Sequence, residues 1–382
     1  MKKRILSGLI AIFLVTLAVS SFAQSFRTSD LEGTWIGYDI SVIPSIPAVL
    51  WLRGNATIDA SGNFTSATYT APDGSTVSAT SGSVALDANG VMSGGFTVDT
   101  GATVTVAHGK LDSGKTHAAF VSTATDGSMD LGVFFKSGGT FLSQDLEGSW
   151  HSYITIIDAS TGAVFWVYGT FSVDNQGNMT GSFTAADGTP ATITSGALTL
   201  DSAGIIGGSF ALSIPGQTVT IAHGKLDQSK TIGVFVSAEQ TGTMAYAWIV
   251  KAGGTFKQSD GAGKWYVYGL NINIPPSPAV FWAYGESNTD ASGNLNASYS
   301  VPTGETITAT GVFTLDSSGE GTGTFNFSTG DTAVAPSAKL DQSKTSYVGV
   351  TISPTSGAMG IWHFIKASYV TVPGMPLLLL DD

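Results

Sequence analysis

DLEGTW (Asp30–Trp35) and AVLWLRG (Ala48–Gly54) return as DLEGSW (Asp145–Trp150) with AVFWVYG (Ala163–Gly169), and again as DGAGKW (Asp260–Trp265) with AVFWAYG (Ala279–Gly285). Trp35, Trp150 and Trp265 recur at one constant interval, and Met129, Met244 and Met359 share it. A repeat this long is a domain in its own right, whereas solenoid rungs are several-fold shorter. The chain therefore divides into a leader at 1–23, modules at 30–141, 145–256 and 260–370, and a tail at 371–382.

Working outward from the repeat, the first module holds eight candidate strands, near 34–43, 47–58, 63–71, 76–86, 91–98, 102–111, 116–124 and 129–136. Thr, Ser, Val and aromatic residues fill these stretches, and Gly-containing turns separate them, which is the composition of antiparallel sheet. The turns Asp59-Ala-Ser-Gly62, Asp73-Gly74 and Asp87-Ala-Asn-Gly90 supply a capping carboxylate and a residue that tolerates positive φ. Asp174–Gly177 and Asp201–Gly204 repeat the pattern in the second module, as do Asp290–Gly293 and Asp316–Gly319 in the third. Sequential hairpins make an up-and-down meander. Eight meandering strands leave two exposed edges unless they close, and closure at this number gives a small barrel. The predicted fold class is all-β: three tandem antiparallel eight-stranded barrels behind a signal peptide. A single outer-membrane barrel of about 24 strands is the alternative; the short turns on both sides and the restart of the pattern in each module argue against it.

Met1-Lys-Lys-Arg4, the apolar run Ile5–Val19 and the small-residue pattern Ser21-Phe-Ala23 together read as a cleaved secretory signal. The mature chain then carries no transmembrane helix and lies in the periplasm or outside the cell. The net charge is −12, more negative still without Lys2, Lys3 and Arg4, which argues against a nucleic-acid partner or an anionic membrane surface. The absence of cysteine excludes disulfides, thiolate metal sites and a Cys nucleophile.

Gly33-Thr-Trp35, Gly148-Ser-Trp150 and Gly263-Lys-Trp265 resemble the opening of the first strand in calycin barrels, the lipocalins and avidins. Lys136, Lys251 and Lys366 stand where lipocalins place a basic residue over that Trp. The resemblance implies barrel closure with Trp under Lys at one end, and an interior cavity. It carries over no ligand, and the lipocalin Thr-Asp-Tyr segment and the helix after the barrel are missing here.

Residues with chemistry are few. His108 and His223 sit in the repeated AHGKLD, but the third module has Ser337 there, which weakens a catalytic or metal role. His117, His151 and His363 lack counterparts, and no metal-ligand spacing occurs. The aspartates fall in turns, where carboxylates accept backbone N–H bonds. Lys115, Lys230 and Lys344 read as turn residues. Asp39 and Asp130 are strand-interior carboxylates of the first module only; Ile154 and Ala245 replace them in the second. Neither a metal nor a cofactor is expected.

Strand two of each module carries a pair on one face: Trp51 with Arg53, Trp166 with Tyr168, and Trp282 with Tyr284. An unpaired guanidinium inside a filled barrel would be costly, so this face is expected to point outward and to form exposed ligand-binding positions for a glycan or a surface protein. The other reading packs both faces, one inside the barrel and one against a neighbouring module. The functional expectation is a secreted, non-catalytic binding or structural protein of the cell surface or matrix. Its alternatives are a lipocalin-like or avidin-like carrier of small apolar ligands and, third, an enzyme acting on a glycan.

Cleavage after Ala23 is directly measurable. Intact mass of the exported protein should give Gln24 as the first residue; a membrane-bound species retaining Met1 would refute the signal reading.

Overall fold

A computed structural model describes residues 25–43, 48–158, 161–214, 217–238, 242–272 and 280–367. The leader at 1–23 and the tail at 371–382 lie outside the described residues. The first module closes into one antiparallel barrel of β1 (Gly33–Ile43), β2 (Ala48–Ile58), β3 (Phe64–Thr70), β4 (Thr76–Leu86), β5 (Val91–Val98), β6 (Thr103–Leu111), β7 (His117–Ala124) and β8 (Met129–Lys136). Closure comes from β1, which pairs with β2 through Gly33↔Ile58 and with β8 through Trp35↔Lys136. The second barrel runs from β9 (Gly148–Asp158) and β10 (Ala163–Val173) to β15 (Ile232–Ala238) and β16 (Thr243–Lys251). The third runs from β17 (Gly263–Ile272) and β18 (Val280–Thr289) to β23 (Ser346–Ile352) and β24 (Met359–Lys366). All three are calycin-like barrels, as the Gly-x-Trp openings imply.

The turns form by the chemistry read from the sequence. Asp59 Oδ1 accepts from the backbone N–H groups of Ser61 and Asn63, both at 2.9 Å, and Gly62 takes a φ of 89°. Asp87, Asp174, Asp201, Asp290 and Asp316 repeat the clamp. Lys115, Lys230 and Lys344 are turn residues of a rarer kind, non-glycine residues with φ of 58°, 62° and 60°. Each is held by an ion pair, to Asp30, Asp145 and Asp260 respectively.

Short 3₁₀ turns not anticipated from the sequence precede each barrel at Thr28–Leu31, Ser143–Leu146 and Gln258–Gly261. Beside them Phe26, Phe141 and Phe256 are buried beneath the first, second and third barrels. Phe141 and Phe256 each pack with the barrel that follows them in the chain. A ring that seals the bottom of one barrel is contributed by the chain arriving from the barrel before it.

β1 departs from simple alternation. Eight consecutive residues, Trp35–Val42, are buried. Trp35, Gly37, Asp39 and Ser41 face the barrel interior, while Ile36, Tyr38, Ile40 and Val42 join an apolar cluster shared by all three barrels. The same outward face of β2, β7 and β8 adds Trp51, Val121, Val133 and Phe135. Contacts between barrels run in a cycle: β1 and β2 meet β15 and β16, β9 and β10 meet β23 and β24, and β17 and β18 meet β7 and β8. Such a head-to-tail interface generates a ring when the rotation closes; here the ring closes at three within one chain.

Polar ties follow the cycle. Trp51 Nε1 donates to Ser237 O at 2.7 Å, Trp166 Nε1 to Thr351 O at 2.9 Å, and Trp282 Nε1 to Ser122 O at 2.9 Å. The Tyr38 hydroxyl meets His223 Nδ1 at 2.6 Å, Tyr153 meets Ser337 at 3.1 Å, and Tyr268 meets His108 at 2.8 Å. The His/His/Ser position is thus a hydrogen-bond partner for a neighbouring tyrosine, a task that a serine hydroxyl also performs. Near the centre, His363 packs against Trp248 with ring centroids 4.4 Å apart and shares Ser346 Oγ with His117.

Burial holds His363 well below its ordinary titration range, with the nearby His117 a lesser cause, and His223 is brought down to about 4 by burial and by Arg53. A neutral histidine in the fold against an ordinary one unfolded means that, as pH falls below about 6.5, the unfolded chain binds protons the folded chain refuses. Stability from this source falls with acid. The buried carboxyls Asp39 and Asp130, whose pKa is raised, act oppositely, so the comparison must be between variants. His363→Phe, apolar like Val133 and Trp248 at the equivalent places, should make unfolding free energy less steep between pH 6.5 and 4.5, by up to about 1.4 kcal/mol per pH unit. Parallel pH profiles for the two proteins would refute the assignment.

Candidate functional site

Each barrel is sealed at one end and hollow at the other. At the sealed end Trp35, Trp150 and Trp265 are buried and donate Nε1–H to Leu31, Leu146 and Gly261 carbonyls at 2.7, 2.7 and 3.0 Å. Lys136, Lys251 and Lys366 lie 5.3, 5.2 and 5.0 Å from the indole centres. Each lysine also donates to a backbone carbonyl of the 3₁₀ turn, of Asp30, Asp145 and Asp260. The placement of Trp under Lys implied by the calycin resemblance is present three times.

A second lysine in each module escaped the sequence reading. Lys110, Lys225 and Lys339 of the AHGKLD and PSAKLD segments have no exposed surface and lie 4.3, 4.1 and 4.7 Å from the rings of Phe26, Phe141 and Phe256. Lys225 Nζ donates to Ala203 O at 2.6 Å, and Lys339 Nζ donates to Ser318 O. Desolvation lowers Lys110 and Lys225 to about 8. Their threefold repetition at the plug marks them as structural; the signal was the Lys kept where the preceding His was not.

At the opposite end, bounded by the turns that follow β3, β5 and β7 and their counterparts, lie cavities of about 250 Å³ in the first barrel and 240 Å³ in each of the second and third. The second is lined by Ile154, Phe165, Val167, Phe183 and Phe210 among others. The third is lined by Phe281, Tyr299, Ile307, Phe327 and Trp362. The first has Leu50, Leu52, Tyr69, Phe96 and Val104, together with Asp39, Ser41 and Asp130. Leu50, Phe165 and Phe281, on the strand-two face opposite the tryptophans, thus point into their barrels.

The residues singled out for ligand contact lie elsewhere. Trp51, Trp166 and Trp282 do point out of their barrels, but they are only 2%, 2% and 4% exposed, covered by the neighbouring barrel. The expectation of an exposed aromatic strip is corrected on this point. These positions follow the other reading, with one face inside the barrel and the other against a neighbouring module. Tyr168 and Tyr284 stay half-buried beside their tryptophans at 5.7 and 5.6 Å. Arg53 is half-exposed at the same interface, close enough to depress His223, so the costly guanidinium does avoid the interior.

Among the described residues no helix is long and apolar enough to cross a membrane, and no group of three or more His, Asp or Glu side chains is placed to hold a metal. No protein-family model matches the chain, and no curated protein matches it in sequence. Structures similar to it include transferrin-binding protein B of Haemophilus parasuis, at 11% identity and a TM-score of 0.29 over 87% of this chain and 75% of that one. A protein of unknown function from the DUF3598 family of Nostoc punctiforme is 11% identical with a TM-score of 0.22, over 59% and 97%. Kievitone hydratase from Nectria haematococca is 8% identical with a TM-score of 0.21, over 60% and 94%. Superpositions this partial transfer neither ligand nor activity.

The sealed end gives a sharp test. Trp150→Ala should cost about 3 to 5 kcal/mol, as expected for emptying a fully buried indole site. Lys251→Ala should cost about 1 kcal/mol, because a half-buried cation over a ring adds little. Equal losses measured by urea unfolding would contradict the roles assigned.

Proposed function

We propose that the protein is an exported, non-catalytic carrier whose barrels bind small apolar molecules in their open-ended cavities. One observation supports this above the rest: a cavity of similar volume, mostly apolar with a few polar groups, recurs at the same place in three barrels whose lining residues differ. Apolar concavities with sparse polar groups are the usual setting for small ligands. A cavity of about 150 Å³ suffices for a benzene-sized guest, so these have room for a substituted ring. The alternative of a polymer-binding surface relied on exposed Trp51, Trp166 and Trp282, and that support is gone. The leader features at Met1–Ala23 favour export, and the acidic balance disfavours nucleic acid as a partner.

Toluene added to the full mature protein and followed by saturation-transfer NMR should bind with a dissociation constant of about 1 mM or tighter, roughly −4 kcal/mol. Ala185→Trp, which fills the mouth of the second barrel, should remove one of the three sites. Absence of toluene binding, together with retention on insoluble glycans, would overturn the carrier reading in favour of polymer contact.

A further inference from the structure

We propose that the first barrel selects a small molecule bearing a protonated amine on an apolar body, seated with its nitrogen against Asp39 and Asp130. The proposal rests on the reading of the cavities as binding sites and says what sets one of them apart.

The three interiors share one layer midway along the barrel, where the first strand pairs with the last. The cross-strand pair in that layer is Asp39↔Gly132 in the first barrel, Ile154↔Ala247 in the second and Gly269↔Trp362 in the third. Volume is kept by pairing large with small. A Cβ on Gly132 would sit 2.1 Å from Asp39 Oδ1, and one on Gly269 would sit 2.1 Å from Trp362. Where the other barrels fill this layer with isoleucine or tryptophan, the first fills it with a carboxyl.

One oxygen of that carboxyl has no partner. Asp39 is 4% exposed, lines the cavity, and its Oδ1 makes no hydrogen bond. An orphaned buried acceptor is costly, more so when charged, and a donor on a bound ligand would satisfy it. Asp130, two residues towards the mouth and opposite Ser41 on β1, accepts from Ser122 Oγ at 2.7 Å. At the same places the second barrel has Ala245 and Ile156, and the third has Gly360 and Asn271.

The surroundings fit an ammonium on a hydrophobic body. Asp126 in the β7–β8 turn is a third carboxylate on the cavity wall; Tyr69 on β3 stacks on Phe96 of β5; β2, β4, the β5–β6 turn and β6 contribute Leu50, Leu52, Val77, Ala102 and Val104; and among the described residues no basic side chain lines the space. Burial raises the Asp39 carboxyl well above the usual range, with the Asp130 charge a second cause; burial raises Asp130 too, against its hydroxyl partners. An ammonium entering the site offsets that cost, because the two carboxyl groups then accept its N–H bonds and its charge balances theirs.

The full mature protein is titrated at pH 7 with benzylamine, benzyl alcohol and toluene by calorimetry. One benzylamine should bind at least tenfold tighter than benzyl alcohol, as a charge-assisted hydrogen bond worth about 1.5 kcal/mol or more implies. Asp39→Asn should abolish that preference. Asp130→Asn, whose carboxylate already has hydroxyl partners, should weaken benzylamine by a smaller factor. Equal affinity for amine and alcohol, or an unchanged preference in both variants, overturns the proposal even if toluene binds the second and third barrels. Amine binding lost in Asp39→Asn supports it even if toluene binds neither of those barrels, in which case the wider carrier reading fails alone.

Discussion

Each barrel hands one indole N–H to a backbone carbonyl of the next, and the rest of the architecture follows from the face on which that bond sits. Trp51, Trp166 and Trp282 occupy the centre of a continuous apolar surface on the outside of their barrels. A lone barrel would show this surface to water, including Tyr38, Val133 and Phe135, and exposed apolar patches of that size are rare on monomers. Three copies in a row remove it by closing on one another. With no cysteine in the chain, this shared cluster rather than any cross-link couples the modules, and Gln228 and Gln342 reinforce the two covalent joints through carbonyls of Lys136, Ser137 and Ala252.

Because the outward face is fixed by the neighbour and the sealed end by the Trp, Lys and Phe plug, the open half of each interior is where the copies are free to differ. The Trp of the first strand, the Lys of the last and the indole tie are kept three times over. The midway layer is not: aspartate, isoleucine and glycine stand at one position, with glycine, alanine and tryptophan opposite. That division between shared supports and divergent linings leaves each cavity free to change, since the interactions that hold the fold do not constrain it.

Most of the fold was legible because its signals are local. Asp-x-x-Gly turns announce themselves within four residues, and the strands of the first module, expected at 76–86, 91–98 and 129–136, occupy those residues. Trp150 beneath Lys251 was legible through resemblance. The packing of barrel on barrel was legible only as one of two readings, since alternation along a strand distinguishes two faces and cannot say what covers the outer one. The sequence did contain a hint: Ile36, Tyr38, Ile40 and Val42 make the outward face of β1 too apolar for water. Asp39 and Asp130 were visible as strand-interior carboxylates, but not that they share a wall of one cavity, which depends on the β1–β8 closure.

The register of the contacts between barrels also fixes how the chambers face. Near the sealed end His117 of β7 meets Ser346, its counterpart in the third barrel; midway Tyr38 meets His223; towards the mouth Trp51 meets Ser237. Level matches level along the whole length, so the barrels stand side by side in the same sense and their three mouths open towards one side of the ring. A partner presenting several small apolar or cationic groups could engage more than one mouth at once. Once the first group is seated, the next binds at an effective concentration set by its tether, which raises overall affinity without any new contact. Free small molecules gain nothing from this arrangement, since each chamber fills independently. The one-sided geometry therefore matters only for a polyvalent ligand, whereas the differing linings matter for any ligand, and of the two the linings are the stronger constraint on what the cavities would accept under the proposed reading.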